Sequence, residues 1–145
     1  MTDEFDEFAR NLQAEIFEET KQAYGTVAFE RWLHPKYMGK IDHPDGYARV
    51  TGPCQDTMEI FLKFEDGRVS EASFQTDGCG SSAVCGSFAA ELALGKTPDE
   101  LLDVTGNAIL KTLGGLPKED EHCAQLAGET LQEALSNYMQ RQVRK

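Results

Sequence analysis

Residues 57–76 constrain the fold most. Met58, Ile60, Leu62 and Phe64 alternate with Thr57, Glu59, Phe61 and Lys63, the period of two that places one set of side chains on each face of a strand. Asp66-Gly67 supplies a tight turn. Residues 69–76 return as a second strand, with Ala72, Phe74 and Thr76 on one face, while Val69 has the opposite parity and predicts a bulge or an edge position. A short strand over 47–51, closed by Gly52-Pro53, precedes this hairpin. After residue 78 the period becomes helical: residues 81–94 are rich in Ala and Leu and stop at Gly95. Strands followed by a run of helices give an α+β fold, a small antiparallel sheet with helices packed on one face.

Upstream, Phe5, Phe8, Leu12 and Ile16 recur at helical spacing among Asp and Glu residues. They predict an amphipathic acidic helix over 3–22, ending before Gly25. A second helical piece over 27–33 stops at His34-Pro35, because a residue before proline is biased away from helix. Phe29 and Trp32 in it read as an anchor for the N-terminal segment. Residues 34–46 are irregular, punctuated by Pro35, Gly39, Pro44 and Asp45-Gly46, and their His34 and His43 read as solvated loop residues. The organisation is an acidic helical extension over 1–25 and one domain over 26–145. Downstream, Thr97-Pro98-Asp99-Glu100 is a helix N-cap followed by proline and acidic residues in the first turn. Short helices over 98–103 and 106–113 end at Gly114-Gly115. A last helix from near Lys118 carries the stripe Leu126, Ala127, Thr130, Leu131, Ala134, Leu135 and Tyr138, and its basic tail of Arg141, Arg144 and Lys145 complements the helix dipole.

The 145 residues suffice for one domain with a real core. Fourteen basic against 25 acidic residues leave a net charge of −11. Counterion-releasing contact with nucleic acid needs clustered Lys and Arg, so this balance argues against nucleic acid and against docking on an anionic membrane. No apolar run reaches a membrane-spanning length, and the start of the chain is acidic where a secretory signal would be basic. A cytoplasmic protein is expected, and in that reducing compartment four cysteines are metal ligands, reactive thiols or core residues rather than a disulfide framework.

Three of the cysteines fall beside turns or helix starts. Cys54 follows Gly52-Pro53 between two strands. Cys79 sits in Gly78-Cys79-Gly80, where a strand hands over to a helix, and Cys123 sits in the first turns of the last helix. Glycines flanking Cys79 let the backbone approach a ligand, and helix N-termini favour thiolate. Asp120 and Glu121 oppose that effect at Cys123. Such thiolates bind iron or zinc or attack sulfur. No Cys-x-x-Cys is present, which argues against a two-knuckle zinc site. Each cysteine is otherwise a small buried hydrophobe, the reading that fits Cys85 one to two turns inside its helix. The alternative makes Cys85 an additional thiol, a fourth ligand or a persulfide relay near Cys79.

Gly52-Pro53-Cys54-Gln55-Asp56, Gly78-Cys79-Gly80-Ser81-Ser82 and Leu116-Pro117-Lys118 through His122-Cys123 stand in the order and spacing of the IscU/NifU-type iron–sulfur cluster assembly scaffolds. His34-Pro35-Lys36-Tyr37-Met38-Gly39 also resembles a signature of that family, and the resemblance covers residues 27–140. It implies a three-stranded sheet covered by helices and a carrier rather than an enzyme. Such proteins take sulfur from a cysteine desulfurase and iron from an iron donor, assemble a [2Fe–2S] cluster and pass it to recipient apo-proteins. By that resemblance Cys54, Cys79 and Cys123 are the ligand cysteines. Asp56 is the aspartate that ligates metal or keeps the cluster labile, and His122 is an alternative fourth ligand. The cluster is held in one chain or bridges a homodimer, and zinc can occupy the same ligands in the purified protein. Gln55 stands where the family has glycine, Asp120 where many members have lysine, and the family's chaperone-recognition stretch is only partly present as Leu116-Pro117-Lys118. Two competing functions share the residues: a zinc-bound sulfur acceptor or sulfurtransferase of the same fold, and a structural zinc domain used only for binding. The former typically has an insertion before the third cysteine and no histidine beside it. The uninserted stretch from Cys79 to Cys123 and the presence of His122 favour the scaffold.

Overall fold

The hairpin forms where its alternation requires. The structure, a computed structural model, describes residues 2–53, 55–78 and 80–143, with the backbone alone for residues 2, 3, 17, 20, 23 and 24. Met1, Arg144 and Lys145 lie outside the described residues, as do Cys54 and Cys79. Strands β1 (Gly46–Thr51), β2 (Thr57–Glu65) and β3 (Arg68–Thr76) form an antiparallel sheet in the order β1-β2-β3. Met58, Ile60 and Leu62 are fully buried on one face. The bulge expected from the parity of Val69 is present: Phe64 pairs with Val69 but Lys63 with Glu71. Ser70 is the extra residue, and its Oγ donates to the Lys63 carbonyl at 3.2 Å.

Helices α2 (Gly80–Ala93), α3 (Pro98–Leu101), α4 (Gly106–Leu113) and α5 (Glu121–Val143) follow, with a short 3-10 turn, Lys118–Asp120, before α5. α5 lies over β1 and β2 and α2 over β3. Leu126, Ala127, Leu131 and Ala134 of α5 meet Phe88, Ala89, Ala90 and Ala93 of α2 and the inner sheet face in one core. Close approach sets this packing: a Cβ on Gly86 would lie 2.5 Å from the Phe74 ring. Full burial of a side chain such as Phe74 stabilises the fold by about 2–3 kcal/mol. Thr97 and Glu100 form a reciprocal capping box with Pro98 in the first turn of α3, as the sequence composes it, though α3 is shorter than expected. Gly114, in the left-handed conformation, ends α4.

The two N-terminal helical pieces join into one run, α1 (Thr2–Leu33), broken at Gly25 with φ 83° and ψ 166°. The part after the break is pinned to α2. Arg31, its side chain 10% exposed, donates to Ser87 Oγ at 2.8 Å and to Glu91 Oε1 at 2.9 Å, and its guanidinium lies 4.0 Å over the Phe88 ring. A desolvated guanidinium so placed contributes about 2 kcal/mol. Ser87 Oγ in turn donates to the Lys36 carbonyl at 2.8 Å, and Tyr37–Gly39 bonds the outer edge of β3 at Phe74. His34 and His43 are exposed. At the far end of α5, Asn137 Oδ1 accepts from the Tyr47 N–H at 3.0 Å, and Arg141 donates to the Pro44 carbonyl at 2.8 Å, so this arginine ties a loop down rather than only facing the dipole. Among the described residues no helix is long and apolar enough to cross a membrane.

Candidate metal centre

Three chain segments meet at one corner. The first is the β1–β2 loop, which closes on itself: Gly52 N–H donates to the Asp56 carbonyl at 2.8 Å and Gln55 N–H to the Gly52 carbonyl at 2.9 Å. Gln55 takes φ 67° to make that turn. It thus adopts the left-handed conformation glycine would take without strain, so the loop keeps its course at a local cost of about 1 kcal/mol. The second segment joins β3 to α2. Asp77 Oδ1 accepts from Thr57 N–H at 2.7 Å, Asp77 N–H donates to the Thr57 carbonyl at 3.2 Å, and Thr76 Oγ1 donates to the same carbonyl at 2.7 Å. These bonds tie the end of β3 to Thr57, the first residue of β2. The third is the first turn of α5, which brings His122 and Cys123.

Asp56, His122 and Cys123 have ligand atoms all within 4.8 Å of one another. Cys123 is fully buried, and Asp56 and His122 are half-buried. His122 Nε2 is 3.6 Å from Cys123 Sγ. Between carboxylate and thiol stands Ser82, fully buried, with Oγ 3.2 Å from Asp56 Oδ2 and 3.4 Å from Cys123 Sγ. One hydroxyl proton cannot serve both acceptors at once, so Ser82 stands between the two groups and bridges them at hydrogen-bonding distance. Gly78 is needed for this closeness: a Cβ there would lie 2.6 Å from Ser82 Oγ and 3.0 Å from Asp56 Cγ. A carboxylate, an imidazole and a thiol converging at a surface corner suit zinc or an iron–sulfur cluster, with the oxygen as the hardest and most exchangeable ligand.

Of the residues singled out in the sequence, Asp56, His122 and Cys123 come together, while Cys54 and Cys79 lie outside the described residues. Cys85 is fully buried in the core with Phe88 and Ala89 and is not one of the three grouped ligands. Sequence reasoning missed Ser82, although it stands within the motif Gly78-Cys79-Gly80-Ser81-Ser82. It also missed how Trp32 meets the site. The indole lies against Gly80, where a Cβ would be 2.5 Å from its Nε1.

A three-stranded sheet backed by helices, with these donors gathered where two loops meet a helix start, defines a small α+β domain with a cluster of groups that could hold a metal ion. Residues 23–145 match the NifU-like N-terminal domain family, and the chain belongs to that family. The iron–sulfur cluster assembly scaffold proteins IscU 1 and IscU 2 of Archaeoglobus fulgidus are each 39% identical over 119 residues, 81% of this chain and 78% of theirs. The scaffold protein IscU of Aquifex aeolicus is 32% identical over 124 residues, 83% of this chain and 79% of its own length. Among solved structures, the N-terminal NifU-like protein of Brucella abortus superposes with a TM-score of 0.66 at 20% identity, covering 84% of this chain and 98% of that one, a likeness of fold.

Proposed function

We propose that this chain is an iron–sulfur cluster assembly scaffold, a carrier rather than an enzyme. The observation that carries the reading is the convergence of Asp56, His122 and Cys123 within 4.8 Å in a chain of this family. In this reading the thiolates of Cys54, Cys79 and Cys123 hold a [2Fe–2S] cluster as cargo, and Asp56 or His122 completes the fourth position. Sulfur comes from a cysteine desulfurase, iron from an iron donor, and the cluster leaves for recipient apo-proteins in the cytoplasm. The domain proper runs over 26–145. Three thiolates and one oxygen or nitrogen ligand hold a cluster less firmly than four thiolates do, which suits transfer. The half-exposed Asp56 is the ligand an incoming thiol can replace first.

Anaerobic reconstitution with ferric iron and sulfide tests this. The wild-type protein is expected to develop visible charge-transfer absorption with two irons and two sulfides per cluster, and Cys54→Ser, Cys79→Ser and Cys123→Ser are each expected to lose most of it. A colourless protein that retains one tight zinc per chain would instead favour the zinc-bound sulfur acceptor.

A further inference from the structure

Among the described residues, the first part of α1 supplies none of the three grouped donors, and residues 2–22 precede the segment that matches the family. Phe5, Phe8 and Leu12 are 71%, 65% and 46% exposed, and Ile16 is 45% exposed. Their spacing sets them along one stripe of the helix. Exposed aromatic side chains aligned in this way mark a binding face. Residues 2–22 carry seven carboxylates against two cations. By helical spacing, Glu4, Glu15 and Glu18 fall along one border of the stripe, and Arg10 and Lys21 fall on the far side.

Charge selects the occupant. A second copy would bring two strongly acidic helices together, and the rest of this chain is itself net acidic. An anionic lipid surface would repel the helix too. A protein groove with an apolar floor and Lys or Arg along its rim fits both the stripe and its border, in the helix-in-groove mode.

We propose that residues 4–22 are a docking helix for the sulfur-donating protein, gripped through Phe5, Phe8 and Leu12 and steered by the flanking carboxylates. This rests on the scaffold reading, which also separates donor from recipient. A cluster needs repeated delivery, whereas a recipient must depart with its cargo, so a tether serves a donor, and persulfide sulfur is the delivery that passes from thiol to thiol in direct protein contact. Gly25 sets where the tether points. Its φ and ψ are essentially confined to glycine. Beyond it the helix is pinned by Arg31, and Trp32 reaches Gly80 at the edge of the metal corner. A partner held by residues 4–22 is thereby kept on the chain that ends at the site.

The test titrates full-length protein with the purified cysteine desulfurase of the same organism at low salt and at about 0.5 M salt. The variant Phe5→Gln/Phe8→Gln/Leu12→Gln is expected to bind about tenfold more weakly or worse. Glu4→Gln/Glu15→Gln/Glu18→Gln is expected to weaken binding at low salt and to flatten its salt dependence. Unchanged affinity in the apolar variant, or no binding by the wild type, overturns the proposal. So does a wild-type dimer that the apolar variant converts to monomer, which would make a second copy the occupant. Reconstitution from inorganic sulfide, run on the same proteins, keeps the two ideas apart. Both variants are expected to assemble cluster as the wild type does, and loss of assembly in all three would count against the scaffold reading alone.

Discussion

Gly128→Ala is expected to destabilise the fold by about 3 kcal/mol, a drop of roughly 10 °C in Tm for a chain of this size. The usual effect of alanine in a helix is the opposite, a gain of about 1 kcal/mol over glycine. Gly128 reverses it because α5 crosses the start of α4 there. A Cβ would lie 2.3 Å from the Gly106 nitrogen and 2.9 Å from the Thr105 carbonyl carbon, both backbone atoms. No rotamer change relieves that contact, so the two helices must part. Gly106 faces the same crossing from the other side, where a Cβ would be 2.8 Å from the Gln125 Cα. Urea unfolding of the two proteins checks it, read as a lower midpoint at unchanged slope. An unchanged midpoint would mean that the helices do not cross so tightly.

Asp56→Ala is expected to hold its cluster longer, slowing transfer to an apo-ferredoxin about tenfold or more. Removing the oxygen leaves His122, whose Nε2 is already 3.6 Å from Cys123 Sγ, as the remaining candidate for the fourth position. Imidazole is the softer and less readily displaced ligand. Asp56→Ala/His122→Ala removes both candidates and is expected to lose cluster during purification. Decay of the scaffold's visible circular dichroism on mixing with the acceptor gives the rate. If the single variant releases its cluster as fast as the wild type, Asp56 does not govern lability.

How much of this could be read in advance depends on whether the signal was local. The sheet was legible because alternation over 57–64 and the parity of Val69 are properties of neighbouring residues, and the bulge at Ser70 follows from them. The α3 cap was legible for the same reason. The phase of α2 was not, because it is buried on nearly every side, including Ser82, Cys85, Phe88, Ala89 and Ala90. A helix without a polar face shows no stripe, so the depth of Cys85 could not be read from its spacing. The break at Gly25 was visible, but the helix resumes at once beyond it. Asp56, His122 and Cys123 were marked by motif. The bridging of two of them by Ser82 depends on α2 and α5 meeting, which no local pattern encodes. Gln55 shows the converse case: the sequence flagged a departure from glycine, and the backbone absorbs it by placing glutamine in the left-handed region.

The placement of Trp32 has a practical outcome. It is the single tryptophan of the chain, and its indole touches Gly80. Its emission therefore samples the corner directly. On the scaffold reading, an iron–sulfur chromophore bound there would drain the excited state by energy transfer, whereas a closed-shell zinc ion has no absorption to receive it. Trp32 emission, followed during reconstitution, is then expected to fall as iron and sulfide are added and to hold steady with zinc, readable in a cuvette without any label.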